Sequence, residues 1–438
     1  MFLELFNYYF TLCVVFPAIV SLGIYLTIKL KFIQITKIKE SFLSLIQKTE
    51  GSEGNISRFG AIASVLAGNL GTGNISGMAV AIGSGGPGAL VWMWVMAFLG
   101  SVIQYASCVL GAVYRKKNEK GEYVGGPMYY LRDGLKNKKI SIIFALCTIF
   151  GAITAGNFAQ VNSISLPLET MGLNPLFCAL GMAFFVGIIV LGGIKRLAGF
   201  ATYVVPFKAL IYMGTALYII MSNHELIFPA FGVMFKSAFS LTSFAGGVMG
   251  FGILKAMTTG FDRGLFATDA GTGIVPILQA SQKINHPKMA GVSTLVAPLM
   301  VMIVCTMTGL VILMTGVWQD PNLQSTNMVI AAFTKGVNSS FGGYMVLATL
   351  ILFGYTTILA WCYCGEKASE FIGGSRLATL FRYSFIALVP LGTLIHVHTV
   401  WTLADIAITT MLCMNLFAII KLRSHVLETG ELDLGVRA

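Results

Sequence analysis

The chain alternates long apolar runs with short polar ones. A helix needs about 20 mostly apolar residues to cross a membrane. Eleven stretches follow one another as candidates: 7–28, 59–84, 88–114, 140–165, 174–194, 200–222, 241–281, 288–317, 342–365, 378–395 and 400–421. The seventh is too long for one straight helix, and glycines interrupt two of the runs from within. Residues 68–77 read GNLGTGNISG, set between AIASVLA and MAVAI. Residues 246–273 read GGVMGFGILKAMTTGFDRGLFATDAGTG, with Asp262, Arg263 and Asp269 embedded in apolar surroundings.

Glycine costs about 1 kcal/mol relative to alanine inside a helix, and a buried polar group without a partner costs more. Both stretches therefore predict broken helices. Irregular backbone at membrane depth persists only where protein or a water-filled cavity satisfies it. The amides freed at a break suit a carboxylate and the freed carbonyls suit a small cation. The same glycines carry a plainer reading, because Gly73-x-x-x-Gly77 is also a close-packing motif for two membrane helices. A dinucleotide loop fits less well: GTGNISG is one residue too long and has no βαβ context.

With the first span set aside, the two breaks open two five-span blocks, 59–222 and 241–421. Five is odd, so the second block enters the membrane inverted. Paired broken helices at corresponding positions of inverted repeats point to the central site of a secondary transporter. Residues 1–58 then hold the first span and IQITKIKESFLSLIQK (33–48), an amphipathic stretch expected along the cytoplasmic interface. Residues 422–438 form a tail.

Composition agrees on the solvent. Hydrophobic residues make up 56% of the 438 and charged residues 11%, where a soluble chain carries about a quarter. A net charge of +11 would suggest nucleic acid in a soluble protein; here it reports topology. Twenty-four lysines and arginines fall in one set of alternate loops and the tail, while the opposite set holds only Lys236 and Lys335. Positive charge stays on the cytoplasmic side, so the N-terminus is expected outside and the C-terminus inside, in the cell membrane. Glu4 and the absence of a basic n-region read the first span as retained, not as a signal peptide. Lys208 and Lys255 read as residues that extend to the membrane surface.

Other classes find little support. The eight cysteines all lie in apolar segments, as small hydrophobes do. The five histidines, His396 and His398 among them, lie at loops or span ends, with no H-E-x-x-H or G-x-S-x-G motif. No enzyme activity and no cofactor are expected. A channel would show a repeated pore loop or charged ring. The loop 115–139 reads as interfacial, and 318–341 as a short external lid.

Several blocks resemble the alanine/glycine:cation symporter family: GTGNISGMAVAIGSGGPGALVWMW (71–94), GEYVGGPMYYL (121–131), RGLFATDAGTG (263–273), TTILAWCYCGEK (356–367) and WTLADI (401–406). They run in family order over nearly the whole chain. The resemblance implies an all-α polytopic membrane protein of about 11 transmembrane helices. Its fold would be the five-plus-five inverted repeat of the leucine-transporter type, with one extra N-terminal helix. It also implies sodium-coupled symport of small neutral amino acids, alanine or glycine, by alternating access. A single chain carries the complete repeat, so a monomer suffices.

Residue by residue, the resemblance gives Thr72, Gly73 and Asn74 to the substrate carboxylate, joined by Gln160, with Asn157 on the same face. It gives Thr357 to the amine, and Ile358 and Trp361 to the side-chain pocket; Thr357 and Trp361, four apart, share a helix face. For a hard cation, which wants oxygen ligands, related folds suggest carbonyls near Gly68 and Asn69 with the hydroxyls of Thr356 or Thr357. Asp262 would face the amine or a second ion, and Asp269 would take part in coupling. Where the family commonly reads S-N-E-A-G-x-G-S-A-P, this chain has ATDAGTGIVP (267–276). The carboxylate is one methylene shorter, and two polar side chains are gone from the second break. A proton-coupled carrier or an exchanger on the same scaffold, with Asp262 or Asp269 carrying the proton, remains the alternative.

Overall fold

The computed structural model describes residues 8–47, 53–239, 250–395 and 397–431. The start of the 241–281 span, His396 and the tail beyond 431 lie outside them.

The helices follow the hydropathy runs. In chain order they are α1 (Tyr8–Lys29), α2 (Arg58–Asn69) and α3 (Ser76–Gly85), α4 (Ala89–Val113), α5 (Lys138–Thr170) and α6 (Pro175–Val190). Then come α7 (Gly193–Ser222), α8 (Gly250–Thr268) and α9 (Ile274–Gln279), α10 (Pro287–Thr315), α11 (Ser325–Val337), α12 (Ser340–Leu388) and α13 (Val397–Lys421). Among the described residues, α1, α4, α5, α7, α10, α12 and α13 are each long and apolar enough to cross a membrane, and α6 is apolar but shorter. The protein is an all-α polytopic membrane protein with two broken helices.

Local chemistry sets the boundaries. Ser57 caps α2 by accepting from the Gly60 amide at 3.1 Å, and Asn137 caps α5 through Ile140 at 3.1 Å; each satisfies an amide that helix geometry leaves open. In α12 the backbone leaves helical values at Gly373 and Gly374, the latter at φ +68°. Only glycine takes that conformation without strain, and the kink separates the expected spans 342–365 and 378–395.

The outside of the bundle is apolar, with Phe177, Tyr203, Leu210 and Phe228 all well exposed. Inside lie small and polar residues, among them Ser64, Asn69, Thr72 and Asn74. The 33–48 stretch forms two short helices, Ile33–Thr36 and Ile38–Ile46, that turn Ile35, Phe42, Leu43 and Ile46 outward. In the 115–139 loop, Lys116–Lys117 pair antiparallel with Tyr123–Val124. Asp133, which bonds to Arg132 and Lys116, is held below the usual carboxylate range, chiefly by the Arg132 hydrogen bond. Within 318–341, α11 is tied to α5 by Thr326 Oγ1 donating to the Ser163 carbonyl at 2.9 Å.

Candidate functional site

The first break begins where α2 stops at Asn69. Leu70 leaves helical geometry and a single 3-10 turn, Thr72–Asn74, leads into α3. A helix end buried in a bundle must find partners for its freed carbonyls. Here side chains from four other helices and from the break itself supply them. Thr357 of α12 donates to the carbonyls of Ala67 and Gly68, both at 3.0 Å. Asn74 Nδ2 bridges the carbonyls of Asn69 (2.7 Å) and Gly71 (3.2 Å). Ser76 Oγ donates to the Thr72 carbonyl at 2.7 Å, and Thr308 Oγ1 of α10 to that of Asn74 at 3.2 Å. Lys208 Nζ of α7 donates to the Leu70 carbonyl at 2.8 Å and also to Thr356 Oγ1. Gln160 of α5 accepts from the amide and the hydroxyl of Thr72, each at 3.0 Å, and donates to Ala155.

Lys208 corrects the sequence reading. It does not extend to the membrane surface but is completely buried, because the Leu70 carbonyl, opened by the break, gives its ammonium an acceptor inside the bundle. Lys255 is exposed, as expected. The close-packing reading of Gly73 and Gly77 also changes. A Cβ on Gly77 would meet nothing within 4 Å, whereas one on Gly73 would meet the Phe266 ring at 2.8 Å. The two glycines do not form one helix-contact face.

The second break separates α8 from α9. Asp269 lies at φ +49°, and Gly271 and Gly273 at +88° and +92°; aspartate and glycine are the residues that accept the left-handed region most readily. Thr272 closes the Asp269 carbonyl through Oγ1 at 2.8 Å, and Asn415 of α13 closes that of Gly271 at 2.6 Å. The two breaks meet directly: Asn69 Nδ2 donates to the Thr268 carbonyl at 2.6 Å.

A small buried cavity of about 10 Å³, room for about one water, lies at this junction. Its polar edge is formed by Gly68, Asn69, Gly71, Gly73, Gln160, Asp269 and Thr357, and its apolar wall by Ala155, Phe266, Trp361 and Ile408. Two oxygens here, Asn69 Oδ1 and Asp269 Oδ1, are buried without a hydrogen-bond partner among the described residues. Leaving such acceptors bare costs about 1–3 kcal/mol each, so the cavity is built to receive donors or positive charge. Trp361 reaches the wall because Gly156, in a π-helical turn of α5 (Thr154–Phe158), leaves no Cβ in its way.

Of the residues expected at the site, Gly68, Asn69, Gly73, Gln160, Asp269, Thr357 and Trp361 line this cavity. Thr72 and Asn74 brace the break behind it, Ile358 is buried beside it without lining it, and Thr356 is engaged by Lys208. Asn157 donates to the Phe385 carbonyl at 3.1 Å instead. Asp262 lies away from the cavity and accepts from Thr11 Oγ1 of α1 at 2.8 Å. Gly71, Ala155, Phe266 and Ile408 line the cavity as well, beyond the residues the sequence predicts. Phe266 sits inside the quoted RGLFATDAGTG block, three residues before Asp269, which was the available signal; nothing in the sequence marks Ile408.

On its other side Phe266 packs against α13, its ring tilted at 46° to that of Trp401 with centroids 4.7 Å apart. The Arg263 guanidinium lies 4.8 Å from the Trp401 ring centre and pairs with Asp405.

The fold matches that of MhsT, solved in complex with L-phenylalanine, with a TM-score of 0.62 and 14% identity over 87% of this chain and 93% of that one. Residues 1–431 match the sequence model of the sodium:alanine symporter family. A Haemophilus influenzae protein described as an uncharacterized transporter is 39% identical, covering 93% of this chain and 90% of its own. The sodium/alanine symporter AgcS of Methanococcus maripaludis is 37% identical, covering 93% and 91%. The chain is thus a multi-pass membrane transporter, not an enzyme, and belongs to the sodium:alanine symporter family.

Proposed function

We propose that this transporter couples sodium entry to uptake of a small neutral amino acid, alanine or glycine. The observation that carries the reading is the junction of the two breaks, a small buried cavity with the bare oxygens of Asn69 and Asp269. The substrate ammonium meets the Asp269 carboxylate and Asn69 Oδ1. Its carboxylate faces the Gly71–Gly73 backbone, where α3 begins and the helix dipole favours negative charge. Trp361, Phe266 and Ile408 wall a cavity that must widen to admit any substrate, and a small side chain asks the least of them. Sodium takes oxygens at the breaks, whose carbonyls keep a second lone pair after one hydrogen bond. Membership of the family and the likeness to AgcS support sodium and alanine.

Residues 59–222 and 241–421 act as the two inverted repeats, and alternating access moves the broken helices against the rest. The positive-inside pattern puts Arg263, Asp405 and Trp401 on the external side, where they close the path to the cavity. Uptake of labelled alanine and glycine into proteoliposomes, with an inward sodium gradient or matched potassium, tests the reading. Concentrative, sodium-dependent uptake supports it; equal uptake in potassium overturns the coupling.

A further inference from the structure

A groove of about 670 Å³ lies between α4, α10 and the short helices of the 33–48 stretch, far larger than the cavity at the breaks. Ligand sites commonly measure about 300–1,000 Å³. Its walls are apolar: Ile35 and Ile38 below, Phe98 of α4 on one side, Leu299 and Met302 of α10 on the other. Ile35, Phe98 and Leu299 are exposed, so the groove opens toward the surroundings of the bundle.

Hydrogen bonds between elements pin both ends. At one end Trp94 Nε1 of α4 donates to Thr306 Oγ1 of α10 at 2.9 Å. At the other, Ser41 of the Ile38–Ile46 helix is completely buried; its Oγ accepts from the Val296 amide at 3.1 Å and donates to the Ser293 carbonyl at 3.4 Å. Gln34 lies at this second end, 9% exposed. Its Nε2 donates to Thr27 Oγ1 of α1 at 2.8 Å, while its Oε1 is buried without a partner among the described residues. A bare buried acceptor is costly, so a groove otherwise apolar offers a place for one donor beside its Ser41 end.

Length and charge say what fits. The lining residues of α10 run from Leu295 to Met307, about 18 Å of helix at 1.5 Å per residue. Half of a hydrocarbon core about 30 Å thick is about 15 Å, so the groove is as deep as one leaflet. Four lysines, Lys29, Lys31, Lys37 and Lys39, flank Gln34 in the sequence against a single acid, Glu40. Lys37 pairs with Glu40 at 2.6 Å. Lys31 and Lys39 are exposed and have no ion-pair partner among the described residues. Basic residues at a membrane surface attract anionic headgroups.

We propose that this groove binds one phospholipid with an anionic, hydroxyl-bearing headgroup of the phosphatidylglycerol kind. One acyl chain lies along α4 and α10 toward Trp94, the phosphate meets Lys31 and Lys39, and a headgroup hydroxyl donates to Gln34 Oε1. On the orientation proposed above the lipid belongs to the cytoplasmic leaflet. The site itself depends on no step of the transport reading, and its test is a binding measurement.

The full chain in detergent is offered equal amounts of phosphatidylglycerol and phosphatidylcholine with the same acyl chains, and native mass spectrometry counts the lipid retained. The expected result is one tightly held lipid, with phosphatidylglycerol preferred roughly thirty-fold, the scale of two surface lysines. Lys31→Gln with Lys39→Gln removes that preference. Ala97→Phe, which fills the groove from α4, loses the retained lipid of either kind, and Gln34→Leu weakens retention of phosphatidylglycerol several-fold. Equal retention of the two lipids by the wild type, or unchanged retention in these variants, means an unselective surrounding lipid and overturns the proposal. Displacement of the lipid by glycerol phosphate, which has the headgroup chemistry and no chain, overturns it too. So does a dimer that forms on delipidation and is lost in Ala97→Phe, because the groove then seats a second copy of the chain. If Ala97→Phe does not fold, the variant of the two exposed lysines decides.

Discussion

Asn69 donates from Nδ2 to the carbonyl oxygen of Thr268 at 2.6 Å, so the last residue of one half-helix closes the last carbonyl of another, 199 positions along the chain. The two breaks are thereby one structure, with the cavity between them. Asn69→Leu leaves that carbonyl buried and bare, a loss of about 1–3 kcal/mol. Thermal unfolding in detergent will show a lowered midpoint, and uptake will be lost.

A pair of glycine substitutions separates the break from mere helix packing. A Cβ on Gly71 would lie 2.6 Å from Thr357 Oγ1 and 2.9 Å from Gln160 Oε1, while one on Gly77 would meet nothing within 4 Å. Gly71→Ala will abolish substrate binding. Gly77→Ala, inside α3, will leave uptake intact and add up to about 1 kcal/mol of helix stability. Isothermal titration and thermal unfolding on both variants check this. Equal behaviour of the two would argue for a packing stripe.

Trp361 limits the side-chain end of the cavity. Trp361→Ala will relax selection between alanine and larger neutral amino acids by roughly ten-fold or more, the scale on which pocket volume discriminates methylene groups. Competition of unlabelled valine or leucine against labelled alanine reads it directly.

The proposed external closure rests on the Arg263–Asp405 pair, whose side chains are 8% and 13% exposed. Removing one partner from a buried pair costs about 3–5 kcal/mol. Arg263→Gln and Asp405→Asn will each slow uptake and raise hydrogen exchange around 401–408. The double variant will recover part of the loss, because the two effects share one contact.

How much of this was legible follows from what the signals measure. Hydropathy counts apolar residues, so it marked the spans, and glycine clusters marked both breaks because backbone freedom is local. Side-chain partners far apart in sequence left no such trace. Lys208 and Leu70 are 138 positions apart, and nothing near Lys208 tells a lysine that extends outward from one that meets an opened carbonyl. Asp262 and Asp269 looked alike for a related reason. Asp262 lies inside α8, whereas Asp269 lies just past its end in left-handed backbone, and that break sets one beside Thr11 of α1 and the other in the cavity. Ile408 entered from a helix whose quoted motif, WTLADI, ends two residues before it.

The central claim is that Asp269 and Asn69 receive the positive end of an amino acid whose entry sodium drives. Sodium-gradient uptake of alanine by wild type and Asp269→Asn, in proteoliposomes with matched protein content, tests it most directly. The account predicts sodium-dependent accumulation in the wild type and its loss in Asp269→Asn, which keeps the shape and removes the charge, with the folded fraction unchanged by size-exclusion chromatography. Undiminished sodium-driven alanine accumulation in Asp269→Asn would contradict it.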